Sequence, residues 1–111
     1  RAALAAYDEA RLAYEQKVLT VFKEADDAVV TYRSARKTAA LKLNLRDAAS
    51  KYVELAHLQY RAGSTNYIDV LDAQRRYFDA QIGLSNSVRD EHLALVQLYK
   101  ALGGGWELEE E

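Results

Sequence analysis

The sequence predicts an all-α protein, an antiparallel two-helix coiled-coil hairpin with one very long helix (about 2-61) and a shorter one (about 67-102). Three observations predict this fold. The chain has no proline and is rich in alanine, leucine, arginine, glutamate and glutamine, which favour helices. Its apolar residues recur with alternating spacings of three and four, as in coiled coils. A single strong break, around Gly63, interrupts about a hundred residues of helix-forming sequence.

The first predicted helix carries an apolar stripe along nearly its whole length. The stripe runs through Leu4, Tyr7, Arg11, Tyr14, Val18, Val21, Ala25, Ala28, Tyr32, Ala35 and Ala39, and after a polar position at Lys42 through Leu45, Ala49, Tyr52 and Ala56. A second line lies beside it, at Phe22, Val29, Leu41, Leu45, Ala48, Tyr52 and Leu55. Because two adjacent stripes broaden the apolar surface, we expect this helix to have neighbours on two sides.

The break predicts the tip of the hairpin, at residues 62–66. Gly63 can adopt the left-handed conformation that closes a helix, and Ser64, Thr65 and Asn66 are typical of turns and caps. Asn66 is a candidate N-cap for the second helix, with Asp69 three residues further on, where a carboxylate stabilises a helix start.

The second predicted helix has its apolar residues at helical spacing, with a small and polar middle. The apolar positions are Ile68, Leu71, Phe78, Ile82, Leu93, Val96, Tyr99 and Leu102. Gly83 is interpreted as a site of close backbone approach or slight bending. Three glycines at 103–105 end the helix, Trp106 is a possible anchor, and residues 107–111 form a charged tail that we expect to be disordered. The hairpin domain is therefore 1-106, with its tip at 62-66.

The unequal helix lengths have a consequence for the start of the chain. In a hairpin that pivots near Ser64, residue 102 lies opposite about residue 27, so residues 2–25 have no partner within the chain. Their apolar stripe needs another helix, and in isolation it should drive self-association.

Composition and residue pattern argue against several classes of protein. The net charge of -2 is spread over interleaved acids and bases, without the basic face of a nucleic-acid-binding protein. The chain has no cysteine, and no apolar run long enough to span a bilayer as a helix. His57 and His92 lie far apart in the hairpin without clustered acids, so we expect no metal site. No two residues have the pattern of a catalytic nucleophile and its general base, so the sequence does not indicate an enzyme. We also expect no cofactor.

Several separated segments resemble the outer-membrane efflux protein family, the TolC-like channels. They are Tyr60-Arg61-Ala62-Gly63, then Tyr67-Ile68-Asp69-Val70-Leu71-Asp72-Ala73-Gln74-Arg75, and Leu98-Tyr99-Lys100-Ala101-Leu102-Gly103-Gly104-Gly105-Trp106. The upstream Tyr14-Glu15-Gln16 and Val21-Phe22-Lys23-Glu24-Ala25-Asp26-Asp27-Ala28 are similar to the long helix that enters from the membrane side in this family. The resemblance implies a trimeric channel with a periplasmic barrel of α-helices, of which this chain would be the C-terminal hairpin.

The resemblance also implies roles for residues at the tip. Asp69 and Asp72 match acidic residues that ring the periplasmic entrance, where threefold symmetry would gather six carboxylates. Tyr60 and Thr65 match a gating network, although Thr65 stands where some relatives have a basic residue, so a salt bridge from that position is not possible. The segment at Ala62, Gly63 and Ser64 matches the tip that docks with a periplasmic adaptor.

Each of these positions also has an ordinary structural interpretation. Asp69 and Asp72 lie near a helix start, where the helix dipole favours acids. Tyr60 is equally well explained as a packed aromatic residue near a helix end, and Gly63 as a simple C-cap.

We therefore expect the periplasmic portion of a bacterial outer-membrane protein, which forms tunnel wall, entrance constriction and adaptor-docking tip. Its partners would be the other protomers, the adaptor and, through the adaptor, an inner-membrane pump. The alternative is a soluble coiled-coil oligomerisation or adaptor-type scaffold hairpin without a pore.

Overall fold

The computed structural model describes residues 2–104 and confirms the two-helix, all-α architecture. Helix α1 spans Ala2–Arg61 and helix α2 spans Tyr67–Tyr99. The second helix was expected to continue to about residue 102, but the backbone changes at Lys100 into a π-helical turn, Lys100–Gly104, in which Gly103 has a φ of 111°. Residues 2–104 contain no strand. Trp106 and the charged tail at 107–111 lie outside the described residues.

The helices divide into two compact units. The tip unit is Arg33–Leu93, and the terminal unit includes residues 2–32 and 94–104. Contacts within the tip unit show that the helices run antiparallel, since His57 meets Gln74 near the tip and Lys42 meets Gly83 further from it. The predicted antiparallel hairpin is therefore confirmed for this unit.

Small side chains form the interface between the helices of the tip unit, which we call the seam. Burial along each helix follows alternating steps of three and four residues, as expected of a coiled coil. The seam positions that are buried are Ala39, Ala56, Val70, Ala73, Ala80 and Ser87. Ser87 donates a hydrogen bond from its hydroxyl to the carbonyl of Leu84 (2.8 Å), so its polar group is satisfied. The best-packed part lies just behind the tip, where Val53 packs against Ala56, Val70 and Ala73.

The seam differs from the stripes that the sequence predicts. Beyond Ala39 the predicted α1 stripe is confirmed at Ala49 and Ala56, which lie in the seam, but it is wrong at Leu45 and Tyr52, which are exposed. Half-buried Lys42, Arg46 and Val53 occupy the interface instead. The large apolar residues that keep helical spacing in the second predicted helix are also exposed: Ile68, Leu71, Phe78, Ile82, Leu93, Val96, Tyr99 and Leu102. The physical reason is distance: small side chains let two helices approach closely, and large ones would hold their axes apart.

Gly83 lies beside a charged residue of the seam, Lys42. A Cβ atom at Gly83 would lie 3.8 Å from Cδ of Lys42, which is an ordinary van der Waals distance. The neighbour of Gly83 is therefore the aliphatic stem of Lys42 rather than a closely approaching backbone. The aliphatic stem of the lysine thus lies in the seam, beside a residue without a side chain.

In the terminal unit, α1 remains helical from Ala2. Every residue from 2 to 17 is exposed, and partial burial begins at Val18 and continues at Ala25, Ala28, Val29 and Tyr32. In α2, Ala94 is buried. Residues 2–17 are thus helical although none of their side chains is buried. Neither helix, over the residues described, has an apolar stretch that could cross a membrane.

Candidate functional site: the hairpin tip

A Schellman motif closes α1 at the tip. Gly63 has a φ of 79°, in the left-handed region that favours glycine. The amide of Ser64 donates to the carbonyl of Gln59 and the amide of Gly63 donates to that of Tyr60, both at 3.0 Å. The hydroxyl of Ser64 also donates to the Gln59 carbonyl (3.1 Å). The turn is therefore held by its own backbone, with the predicted glycine at its centre.

The start of α2 is tied to the turn through Asp69. The hydroxyl of Thr65 donates a hydrogen bond to Oδ2 of Asp69, and the amide of Asp69 donates to the carbonyl of Asn66 (3.1 Å). Asp69 lies in the first turn of α2, where a carboxylate also interacts favourably with the helix dipole. Two of the predicted tip residues, Thr65 and Asp69, are thus brought together, by a hydrogen bond between neutral hydroxyl and carboxylate.

Asp72 has a different partner. Its Oδ2 forms an ion pair with Nε of Arg76 at 3.1 Å. The guanidinium carbon of Arg76 also lies 5.9 Å from the centre of the Tyr52 ring in α1. The Asp72 side chain is 47% exposed, so the carboxylate also faces solvent. Arg76 therefore connects an acidic residue of the expected constriction to the opposite helix through a cation–π contact.

Tyr60 packs against a residue that was not predicted to have a role. Its ring centre lies 5.3 Å from that of Tyr67, with the planes inclined by 59°. Both side chains are about half exposed. The tilted pair bridges the last turn of α1 and the first residue of α2, which favours the interpretation of Tyr60 as a packed aromatic residue at a helix end.

Sequence reasoning missed Tyr52, Tyr67 and Arg76. Arg76 could have been found, because it follows Asp72 by four residues, the spacing at which opposite charges pair on a helix. Tyr52 and Tyr67 could not, because each contact crosses between the helices and depends on how they are paired. The two histidines stay apart, with His57 3.5 Å from Gln74 and His92 exposed on α2.

Several curated proteins are similar to this chain. It is 40% identical over 93 residues to the solvent efflux pump outer membrane protein SrpC of Pseudomonas putida, an alignment that covers 84% of this chain and 20% of SrpC. It is 34% identical over 100 residues to the outer membrane protein OprJ of Pseudomonas aeruginosa, covering 90% of this chain and 21% of OprJ. The chain thus spans about a fifth of the length of the curated relatives that it matches.

Two solved structures share the fold. One, described as the outer-membrane channel OprN, has a TM-score of 0.75 at 29% identity, over 96% of this chain and 24% of that chain. The other, a membrane protein from Pseudomonas aeruginosa, has a TM-score of 0.73 at 32% identity, over 86% of this chain and 22% of that one.

The family comparison covers nearly the whole chain. The profile of the family described as "Outer membrane efflux protein" matches residues 1–104. This match agrees with the expected location in an outer-membrane protein and confirms the resemblance carried by the tip and by the end of α2: the chain belongs to the outer membrane efflux protein family.

Proposed function

We propose that this chain is the C-terminal hairpin of the periplasmic α-helical barrel of a trimeric outer-membrane efflux channel. The observation that carries the proposal is the family match over residues 1–104. The relatives are outer membrane proteins of efflux pumps, a class of transport protein, and the chain corresponds to about a fifth of their length. In the complete channel this segment would form part of the tunnel wall, the entrance constriction and the tip that docks with the adaptor.

The outer surface of the tip unit supports a role in a wall of adjacent helices. Large apolar side chains that are 42–73% exposed form what we call the flanks: Leu41, Leu45, Tyr52 and Leu55 on α1, and Ile68, Leu71, Phe78 and Ile82 on α2. Apolar rows of this size need neighbours, because isolated soluble proteins rarely expose them. A soluble scaffold hairpin would need neighbours as well, so the family match rather than the flanks favours the channel.

The constriction would lie at Asp69 and Asp72. These residues are separated by three positions and share a face of α2 immediately after the tip, where both carboxylates are accessible. Brought together by threefold symmetry, such carboxylates attract cations and repel anions.

The test is ion selectivity of the full-length protein that contains this segment, measured in planar lipid bilayers from the reversal potential in a potassium chloride gradient. The double variant D69N/D72N should lower the ratio of cation to anion permeability severalfold. Asp47→Asn, which removes an exposed carboxylate from α1, is the control and should leave the ratio near that of the unmodified protein. Equal ratios for D69N/D72N and the unmodified protein would show that these residues do not form the constriction.

The tip at Ala62, Gly63 and Ser64 would dock with the periplasmic adaptor, which couples the channel to an inner-membrane pump that supplies the energy. Outside Gly63 and its two chain neighbours, no heavy atom lies within 4 Å of the position a Cβ would occupy, so another helix tip can approach the backbone there. Ala62→Trp adds bulk to this surface at an exposed position. It should weaken binding to the purified adaptor at least tenfold with unchanged helicity, and undiminished binding would exclude the tip as the docking surface.

A further inference from the structure

Arg76 lies on the same face of α2 as the two proposed constriction residues. Residues 69, 72, 76 and 79 follow one another by steps of three, four and three, so their side chains form a single row along the helix. The row contains three aspartates and one cation, Arg76. Any face of α2 that presents Asp69 and Asp72 to a pore therefore presents Arg76 next to them.

Two contacts determine where the charge of Arg76 lies. Helical side chains lean toward the N-terminus of their helix, and the guanidinium accordingly pairs with Asp72, one turn nearer the tip, at 3.1 Å. The ring of Tyr52, from α1, lies 5.9 Å from the same guanidinium carbon. A single exposed ion pair is weak, but a second contact from the other helix restricts the arginine to the conformation in which it neutralises Asp72.

We propose that Arg76 sets the charge of the entrance by neutralising Asp72, so that Asp69 is the main cation-attracting group. This inference rests on the proposed constriction. Asp69 accepts its hydrogen bond from a neutral hydroxyl, that of Thr65, and keeps its full negative charge. In a trimer, three guanidinium groups would offset half of the formal charge of six carboxylates. The entrance would then favour cations only moderately. An anionic solute would meet a smaller electrostatic barrier there than at a ring of six uncompensated carboxylates.

The experiment measures the potassium to chloride permeability ratio of the full-length protein in planar bilayers. Arg76→Gln should raise the ratio roughly threefold, within the range of energies that exposed ion pairs contribute. Arg89→Gln is the matched control, because it removes the same charge from α2 several turns further from the tip, where the guanidinium lies beside Asp90, and it should leave the ratio unchanged. The double variant D72N/R76Q should return the ratio to about that of the unmodified protein, because it removes both charges of the pair.

The role of Tyr52 is tested with a matched pair of variants. Tyr52→Phe keeps the aromatic face and should behave like the unmodified protein. Tyr52→Leu removes it, frees the guanidinium, and should raise the permeability ratio by part of the Arg76→Gln effect. If both variants match the unmodified protein, Tyr52 does not position Arg76.

The outcomes separate failure of this inference from failure of the proposed function. If D69N/D72N lowers cation selectivity while Arg76→Gln changes nothing, or changes it as much as Arg89→Gln does, the constriction stands and the role of Arg76 is wrong. If D69N/D72N has no effect, the constriction is wrong, and the proposal for Arg76 is overturned with it.

Discussion

The seam and the flanks of the tip unit differ in the size and exposure of their side chains. Alanine is the commonest of the buried seam residues, and Ala56 and Ala73 are 3% and 0% exposed. Leucine, isoleucine, phenylalanine and tyrosine form the flanks, where Phe78 is 61% exposed. The difference shows that the hairpin uses its small residues to bring its own helices together and leaves its large ones for neighbours outside it.

The largest expected effect comes from adding volume to the seam. Ala56→Leu puts three additional carbon atoms where the helices are in close contact, beside Val70 and Ala73. We expect it to lower the free energy of unfolding by roughly 1–3 kcal/mol, the usual result of overpacking a core. The measurement is urea denaturation of the 111-residue chain followed by circular dichroism.

Ala48→Leu is the matched control for this prediction. It makes the same change in the same helix, at an exposed position next to the flank. Its effect should stay within about 0.5 kcal/mol. Equal losses for Ala48→Leu and Ala56→Leu would mean that the seam is not packed more closely than the flank.

The second largest loss of stability is expected from a substitution in the tip. Gly63→Ala forces a residue with a Cβ atom into a φ of 79°, and the left-handed conformation costs a side-chain-bearing residue about 1–2 kcal/mol. Space is not the cause, since no heavy atom beyond residue 63 and its two chain neighbours lies within 4 Å of the added methyl group. The free energy of unfolding should fall by about that amount. An unchanged value would show that the Schellman closure contributes little to the hairpin.

The same substitution should have the opposite sign in the seam. Gly83→Ala places a methyl group 3.8 Å from Cδ of Lys42, at an ordinary contact distance, in the interior of α2. Because alanine favours a helix over glycine by about 1 kcal/mol, the free energy of unfolding should rise by up to that amount. A decrease instead would show that the stem of Lys42 cannot accommodate the methyl group.

These positions also show which features the sequence could predict. The helix bounds on either side of the tip follow from local chemistry: Gly63 ends α1 and Asn66 precedes α2, and neither signal depends on distant residues. The seam does not follow, because several rows with three–four spacing exist on each helix, and the row with the largest apolar residues is not the one that faces the partner helix. Which row faces inward depends on how closely the helices pack, and that favours Ala73 and Ala80 over Leu71 and Phe78.

In the candidate site, too, local features could be predicted from the sequence and contacts between the helices could not. Asp69 could be placed at the start of α2 because a cap and a first-turn acid are neighbours in the sequence. The Tyr52, Arg76 and Asp72 cluster required the pairing of the two helices, since residue 52 meets residue 76 only once the register is fixed. Family resemblance indicated the acidic residues but not the arginine that neutralises one of them.

The smallest effect on folding, and the sharpest test of the flanks, is expected from Phe78→Gln. The ring is 61% exposed in this chain, so its removal should change the free energy of unfolding by no more than about 0.5 kcal/mol. If the flanks bind neighbouring helices, the same variant should shift association of the chain to higher concentrations, because it removes apolar area from that interface. Light scattering across a concentration series measures the mass, with circular dichroism on the same samples as the control for helicity. A chain that stays a fully helical monomer at every concentration would mean that the flanks do not drive self-association, and the contrast between seam and flank would then reflect packing within the hairpin alone.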